Sequence, residues 1–256
     1  MFDSYKDIFN QRGRSYHEAM MRYPTARREE FEWAIRYADL AGDMRLCDVP
    51  SGGCYLQEWL PPGMKLVSVE TSSEFIQCAE TPADDGNTIV VCEDLGDIPL
   101  ESNSVERAIS LAGSHHLEDR PAFYREVQRI LKSQGIFALA DVEAGSGVDT
   151  FLNGFVDQHN SMGHKGDFLG RETVQELEAA GFQVTKHEPV TYHWRFEQRS
   201  QMVDFCRLLF CIDLATEQQV LQAIEDHLDY EESAGQCSMQ WGLYFFQAVK
   251  PDARAH

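Results

Sequence analysis

Acidic residues stand at the ends of three successive short apolar runs in the sequence. Asp48 lies in "RLCDV", Glu70 ends "KLVSVE", and Asp94 follows "TIVVC". The carboxyl ends of parallel strands meet at one edge of a sheet, where α/β folds bind ligands, so we expect these carboxylates to surround one cleft. Glu70 follows Asp48 by about 20 residues, the spacing at which an acid meets a ribose diol in nucleotide-binding folds. The pattern indicates a nucleotide-like ligand.

The loop after the first apolar run reads "PSGGC" from residue 50 to residue 54. Ser51, Gly52 and Gly53 are small, so backbone amides in this loop can approach a ligand closely. Pro50 has a fixed φ and no N–H group, and Cys54 adds a side chain, at positions where such loops prefer glycine. We interpret the stretch as an altered binding loop that still works, because the acids downstream keep their spacing.

Two pairs of histidines are the candidates for chemistry. His115 and His116 follow the fourth apolar run, and an imidazole with an ordinary pKa near 6.5 suits a proton acceptor. The alternative is that this pair only shapes its loop. His159 and His164 lie in the glycine-rich "DQHNSMGHKGD" and are candidates for substrate contact, with incidental loop histidines as the alternative. Their separation matches no defined metal site, even with His116 and a neighbouring aspartate added, and we expect no metal.

The alternation of short β-rich runs with helical patterns predicts an α/β fold with a mainly parallel sheet. Helix caps are predicted at Thr71 with Glu74, at Asp119, and at Thr216 with Gln219. The Asp119 helix is expected to run to about residue 132. The predicted strands are Arg45–Val49, Lys65–Glu70, Thr88–Cys92, Arg107–Leu111 and Ile136–Val142, with "WGLYFFQAVK" as the closing strand.

The C-terminal half contains aromatic residues that have two explanations. Trp194 and Phe210 are candidates to line a hydrophobic substrate pocket, although core packing is the more common role of such side chains. Gly-rich residues 143–170 interrupt the strand and helix rhythm and are interpreted as a lid-like insertion or a surface excursion. Residues 197–230 are predicted to be helical.

The composition restricts the classes of function. The 256 residues carry a net charge of −20, which disfavours binding to a phosphate backbone, so we expect no nucleic-acid partner. No apolar run reaches the roughly 20 residues of a membrane span, and the N-terminus lacks the apolar core of a signal peptide. Seven cysteines without metal-type spacing indicate reduced thiols. These features predict one cytoplasmic domain that does not cross a membrane, and they leave the oligomeric state open.

From residue 45 to residue 142 the sequence resembles the class I methyltransferases that use S-adenosylmethionine. "LCDVPSGGC" stands where the family has an acid and a glycine-rich turn, and "LVSVE" stands where it has the ribose acid. "CEDLGDIPLESNSVERAISLAGSHHLED" is similar to the third and fourth family motifs, and "REVQRILKSQGIFALADV" to the following helix and strand. The first motif is degenerate, because Pro50 and Cys54 replace two of its glycines.

The resemblance implies a doubly wound, Rossmann-like sheet of seven strands whose last strand is antiparallel. It implies one domain over 1–256, with a helical N-terminal cap (1–43), a cofactor-binding core (44–142), an insertion (143–170) and a C-terminal half (171–256) with a helical insertion near 197–230. S-adenosylmethionine is the implied cofactor. The residues implied to bind it are Asp48, Ser51, Gly52, Gly53, Glu70, Thr71, Asp94, Leu95, Leu111, Ala112 and Tyr16.

The leading hypothesis is therefore an enzyme that transfers a methyl group from S-adenosylmethionine to a small molecule, at oxygen or carbon. In this hypothesis His116 or His115 is the base. Two alternatives stay open: an enzyme that uses the cofactor for a cyclisation or rearrangement, and a methyltransferase-like binding protein without turnover.

Overall fold

The computed structural model describes residues 4–79, 86–233 and 235–252, and within them one mixed sheet organises the chain. The strand order is β3-β2-β1-β4-β5-β8-β6, and β7 pairs with β8 outside this path. β8 runs antiparallel to β5 and to β6, while β1 to β5 are parallel to one another. The strands are β1 (Arg45–Asp48), β2 (Lys65–Glu70), β3 (Thr88–Val91), β4 (Val105–Leu111), β5 (Leu131–Asp141), β6 (Gln183–Phe196), β7 (Tyr230–Ser233) and β8 (Gln236–Val249).

This topology confirms the predicted fold class, including the antiparallel closing strand, but the sheet of the described residues has eight strands rather than the predicted seven, because β7 pairs with β8. The sheet reverses its order between β1 and β4, and the carboxyl ends of these two strands therefore form the crevice in which doubly wound folds bind ligands. The predicted limits of β2 are confirmed, and β5 begins earlier than expected, at Leu131.

Helices cover both faces of the sheet. They are α1 (Tyr5–Arg22), α2 (Arg28–Ala38), α3 (Ser73–Cys78), α4 (Arg120–Ile130), α5 (Gly147–Asp149), α6 (Asp157–His159), α7 (Thr173–Ala179), α8 (Arg199–Leu209) and α9 (Glu217–His227). α2 and α8 pack in one apolar layer, and α4 and α7 pack in the other. No helix among the described residues is long and apolar enough to cross a membrane.

The predicted helix caps have different outcomes. Asp119 caps α4 as predicted, by accepting from the Ala122 N–H at 2.8 Å, and the capping box of Thr216 and Gln219 is present. The capping box at Thr71 is wrong, because α3 starts one residue later and Ser72 accepts from the Phe75 N–H. α4 ends at residue 130 rather than about 132, since the chain passes directly into β5.

The insertion at 143–170 is anchored to the sheet at both ends. Leu169 N–H donates to the Val142 carbonyl at 2.9 Å, and Ala144 N–H donates to the Leu169 carbonyl at 2.8 Å. Between these points residues 147–159 are helical, with a π-helical turn (Thr150–Val156) between α5 and α6. The turn buries Phe151 and Leu152 in the core. The segment thus supplies a fixed wall on the carboxyl-end side of β5.

Candidate active site

The loop after β1 is fastened to the end of β2. Ser51 N–H donates to the Val69 carbonyl at 2.9 Å, and Gly52, with φ of +56°, donates its N–H to Glu70 Oε2 at 2.7 Å. Gly53 is required locally, because a Cβ there would lie 2.4 Å from the Tyr55 hydroxyl. A five-residue 3₁₀ turn (Tyr55–Trp59) follows.

The two unusual residues of this loop point in different directions. Pro50 lines the cleft, and its ring is accommodated by Gly113, where a Cβ would lie 2.8 Å from Pro50 Cγ. Cys54 is buried near Ser51 and does not line the cleft. The cysteine therefore does not obstruct the cleft in the way that the sequence suggested, whereas the proline forms part of its wall.

Glu70 is the centre of the hydrogen-bond network at the strand ends. Its Oε1 accepts from the Thr71 and Ser72 N–H groups at 2.7 Å, and its Oε2 accepts from Gly52 and, at 3.1 Å, from the Tyr5 hydroxyl. The carboxylate is 1% exposed. Tyr5, in the first turn of α1, thus occupies the position from which a ligand hydroxyl would donate to Glu70.

Two acidic side chains lie at this cleft: Asp48 lines it, and Glu70 lies behind its wall. Burial raises the pKa of Glu70 to about 7, although its backbone donors and Tyr5 oppose the rise. Burial, and then the charge of Glu70, raise the pKa of Asp48 well above its usual range. A cationic ligand between them would favour ionisation of both groups, because an opposite charge stabilises a carboxylate.

A second pocket continues the cleft beyond Tyr5. Asp94, Leu95 and Thr71 line it, together with the first turn of α1. Asp94 Oδ1 accepts from the Gly96 N–H at 2.7 Å. Among the described residues the buried Thr71 hydroxyl has no hydrogen-bond partner. Tyr5 lines both the cleft and this second pocket. The residues that the family resemblance implies for cofactor binding therefore lie on the two sides of the Tyr5 ring.

A third pocket, largely buried, opens from the other side of the cleft. It shares Phe9, Tyr16, Arg27 and Ala112 with the cleft and has a cavity volume of about 60 Å³. One wall is aromatic: the rings of Trp194 and Trp241 stack at 4.0 Å, and Phe210 stacks on Trp241 at 5.7 Å. We call this space the acceptor pocket.

A buried ion pair supports the boundary between cleft and acceptor pocket. Arg27 pairs with Glu30, and the two side chains are 5% and 0% exposed. Glu30 also accepts from Trp194 Nε1 at 2.9 Å, and the Arg27 guanidinium lies over the rings of Tyr16 and Trp194. The pair thereby fixes two rings of the pocket wall.

Histidines occupy one side of the acceptor pocket. His115 and His116 lie on a 3₁₀ turn (Ser114–His116) after β4, and His164 comes from the insertion. His115 Nδ1 contacts Asp141 Oδ1 at 2.6 Å, and Asp141 also accepts from Ser114. The His115 contact and these hydrogen bonds keep the pKa of Asp141 below its usual range despite burial.

Burial lowers the pKa of the other two imidazoles. Burial, and then the neighbouring His115 and His164, lower the pKa of His116 well below its usual range. Burial lowers the pKa of His164 to about 3. An imidazole of such low basicity is a poor proton acceptor, so the geometry favours His115, which Asp141 orients, over His116 as a base.

The structure brings most of the predicted residues together. Asp48, Ser51, Gly52, Leu111, Ala112 and Tyr16 line the cleft, Thr71, Asp94 and Leu95 line the pocket beyond Tyr5, and His115, His116, His164, Trp194 and Phe210 line the acceptor pocket. Glu70 lies behind the cleft wall, bonded to Gly52. His159 lines none of these three pockets: its ring stacks on Phe155, whose carbonyl binds its Nδ1 at 2.8 Å.

Sequence reasoning did not select several residues of these pockets. Asp141 is the last residue of β5. It could have been predicted in the same way as Asp48 and Glu70, as an acidic residue at the carboxyl end of a strand. Tyr5, Arg12, Arg27 and Glu30 come from the two N-terminal helices. Their positions relative to the strand ends depend on tertiary packing, and no local sequence pattern predicts them.

Comparison with known proteins identifies the core. Residues 47–139 match a family model described as a methyltransferase domain. A putative methyltransferase from Bacillus halodurans superposes with a TM-score of 0.63 at 18% identity, over 88% of this chain and 100% of that one. Together with the strand order, these matches show that the chain has the class I methyltransferase fold.

Other structures with this methyltransferase fold differ in what they do. Phosphoethanolamine N-methyltransferase 2 of Haemonchus contortus, solved with phosphomonomethylethanolamine and S-adenosylhomocysteine, has a TM-score of 0.65 at 16% identity, over 98% of this chain and 61% of that one. The 4+2 cyclase SpnF has a TM-score of 0.60 at 17% identity, over 87% and 80%. No curated protein matches the sequence significantly. These likenesses concern the fold of the methyltransferase domain.

The Arg27–Glu30 pair leads to a stability prediction. Replacing Arg27 by Met leaves the fully buried Glu30 without its cation, and we expect a loss of about 3–5 kcal/mol in the free energy of unfolding. The double variant with Glu30→Gln removes the stranded charge and should recover most of this loss. Urea unfolding of the two single variants and the double variant measures the coupling. Additive losses would show that the pair is not coupled.

Proposed function

We propose that this protein transfers a methyl group from S-adenosylmethionine to a small molecule that binds in the acceptor pocket. One observation carries the proposal: a cleft at the carboxyl ends of β1, β2 and β4 meets a separate, mostly apolar pocket at Tyr16 and Ala112. Methyl transfer requires the acceptor atom in line behind the sulfonium methyl group, and most of the rate gain comes from this positioning. Two pockets that meet at one boundary provide that arrangement.

The residues of the cleft fit the cofactor once the Tyr5 hydroxyl leaves Glu70. Glu70 then accepts from the ribose, and Asp48 lies beside the positively charged methionine portion. Asp94 and the unpartnered Thr71 hydroxyl lie in the pocket that would hold the adenine. When bound, the cofactor supplies an electrophilic methyl group on a cationic sulfur.

The acceptor pocket indicates the class of substrate. Trp194, Trp241 and Phe210 favour an apolar or aromatic body, while the histidine side favours a polar atom that loses a proton. An oxygen or an activated carbon satisfies both requirements. We propose His115 as the proton acceptor when no other group assists deprotonation of the substrate. Asp141 contacts its Nδ1, which leaves Nε2 to accept the proton.

A second candidate function is a cofactor-dependent rearrangement without methyl transfer. It is supported by the fold shared with SpnF and by Pro50 in the cleft wall. A binding protein without turnover is the third possibility, and the contact between Tyr5 and Glu70 is the observation in its favour.

Calorimetry followed by a methyl-transfer assay tests the proposed function. We expect S-adenosylmethionine and S-adenosylhomocysteine each to bind once per chain, with a dissociation constant on the order of 10 µM. Incubation with labelled methyl donor and a panel of phenols, enols and carboxylic acids should label at least one acceptor. Binding without labelling of any acceptor would favour the alternative functions, and the absence of binding would refute the proposal.

Tyr5 should act as a competitor of the cofactor. Because its hydroxyl occupies Glu70 Oε2, Tyr5→Phe removes a hydrogen bond that the ribose must displace, and we expect affinity for S-adenosylhomocysteine to rise by about 3- to 10-fold. Tyr23→Phe is the matched control, since that hydroxyl also donates to a carboxylate, Asp204, outside the cleft. Weaker binding by Tyr5→Phe would show instead that the hydroxyl holds the ligand.

The raised pKa of Glu70 predicts a pH dependence of binding. Below about pH 7 the free protein carries a proton on Glu70, and this proton must leave before the carboxylate accepts from a ribose. Affinity should therefore fall by up to about tenfold for each pH unit below 7, and it should level off above 7. Titration calorimetry measures this. The Glu70→Gln variant should bind the ligand weakly, and its affinity should no longer fall below pH 7. If the affinity of this variant still falls below pH 7, the proton belongs to Asp48.

A further inference from the structure

Three imidazoles converge at the side of the acceptor pocket nearest the ends of β4 and β5. One ring nitrogen from each of His115, His116 and His164 lies within 4.8 Å of the others. The ring centroids are 4.0, 5.3 and 5.7 Å apart. Around a tetrahedral zinc ion, nitrogens at about 2.0–2.1 Å from the metal lie roughly 3.3 Å from one another. A small contraction of the cluster would therefore bring the three nitrogens onto one ion.

Two of these imidazoles have buried nitrogens without partners. His116 and His164 are 9% and 6% exposed, and among the described residues nothing forms a hydrogen bond with the Nδ1 of either ring. An unpaired buried polar atom costs about 1–3 kcal/mol, and such atoms in a native protein call for an explanation. Two of them in contacting rings point to a ligand that both rings share.

The third imidazole is held as metal-bound histidines usually are. His115 Nδ1 faces Asp141, which leaves Nε2 as its free nitrogen, and Asp141 is fixed by Ser114 and by the Val142 N–H. A carboxylate behind an imidazole sets its tautomer and orientation and raises its strength as a ligand. A histidine that only packs in the core does not need a carboxylate against its ring nitrogen.

We propose that His115, His116 and His164 bind one zinc ion whose fourth position opens into the acceptor pocket. Three neutral imidazoles are a donor set that suits zinc, and three protein ligands leave a position for water or substrate. From the sequence we expected no metal, even with His116 and His164 considered together, because their spacing matches no defined site. Arg12, which lines the same pocket, places a positive charge nearby that favours an anionic fourth ligand.

The role of the ion rests on the proposed methyl transfer, although its binding does not. A hydroxyl or thiol of the acceptor would take the fourth position and release its proton to solvent, since the cation lowers its pKa. The resulting anion attacks the methyl carbon, a bond from oxygen or sulfur to carbon forms, and the bond from the sulfonium sulfur to that carbon breaks with its electron pair left on the cofactor. The ion would thus replace the histidine base, and an acceptor that binds through oxygen or sulfur is implied.

Metal titration of the full chain tests the site. The protein is prepared without a histidine tag, stripped with a chelator, and titrated with Zn²⁺ by calorimetry and with Co²⁺ by visible absorption. We expect one ion per chain, a zinc dissociation constant below about 1 µM, and the intense d–d bands of tetrahedral Co²⁺. His116→Gln and His164→Gln should each weaken binding at least about 100-fold, and Asp141→Asn by about 10- to 100-fold.

His187→Gln is the matched control, because that ring also makes one hydrogen bond, to Tyr244, outside the pockets. It should leave the metal affinity unchanged, and circular dichroism establishes that each variant is folded. Binding that survives in both His116→Gln and His164→Gln, or that is weaker than about 100 µM in the unsubstituted chain, overturns the proposal. Binding of S-adenosylhomocysteine to the metal-free protein is measured in parallel. This measurement tests the proposed function without the metal, so its failure can be distinguished from failure of the metal site.

Discussion

The buried carboxylate of Glu70 holds the site together. It accepts from backbone N–H groups on both sides of the cleft and from Tyr5, so one side chain joins the loop after β1, the end of β2 and the start of α1. A charge with so little exposure to water is tolerated only when its lone pairs are occupied. The same saturation means that a ligand that bonds to Glu70 must offer a hydrogen-bond donor in exchange for one of the present donors.

The two pockets differ in what they supply. The cleft is built from strand ends and backbone groups, a common feature of the methyltransferase fold. The acceptor pocket is built mainly from the N-terminal helices, the insertion and the C-terminal half, which lie outside the matched residues 47–139, and Ala112, His115 and His116 after β4 complete it. The Arg27–Glu30 pair joins the cleft and the acceptor pocket, because it fixes rings on their shared boundary.

The sequence predicted the frame better than the site. Alternating apolar runs give the order of strands, and carboxylates at strand ends follow from the topology, which is why Asp48, Glu70 and Asp94 were found. Tyr5 and Arg27 were missed because a helix outside the sheet has no register that fixes its position relative to the strands. The helical part of the insertion was not predicted, because the glycine-rich sequence does not favour a helix by itself. This helix is stable only when Phe151 and Leu152 are buried against the core.

The position of Tyr5 in the first turn of α1 has a consequence for how the cleft opens. The terminal turn of a helix unwinds more easily than its middle, and the rest of α1 packs against α3 and α8. A ligand that takes the place of the Tyr5 hydroxyl would therefore require only local fraying of this turn. A polypeptide fused ahead of this turn would lie beside the entrance of the cleft, and we expect it to change the rates at which ligands bind and dissociate.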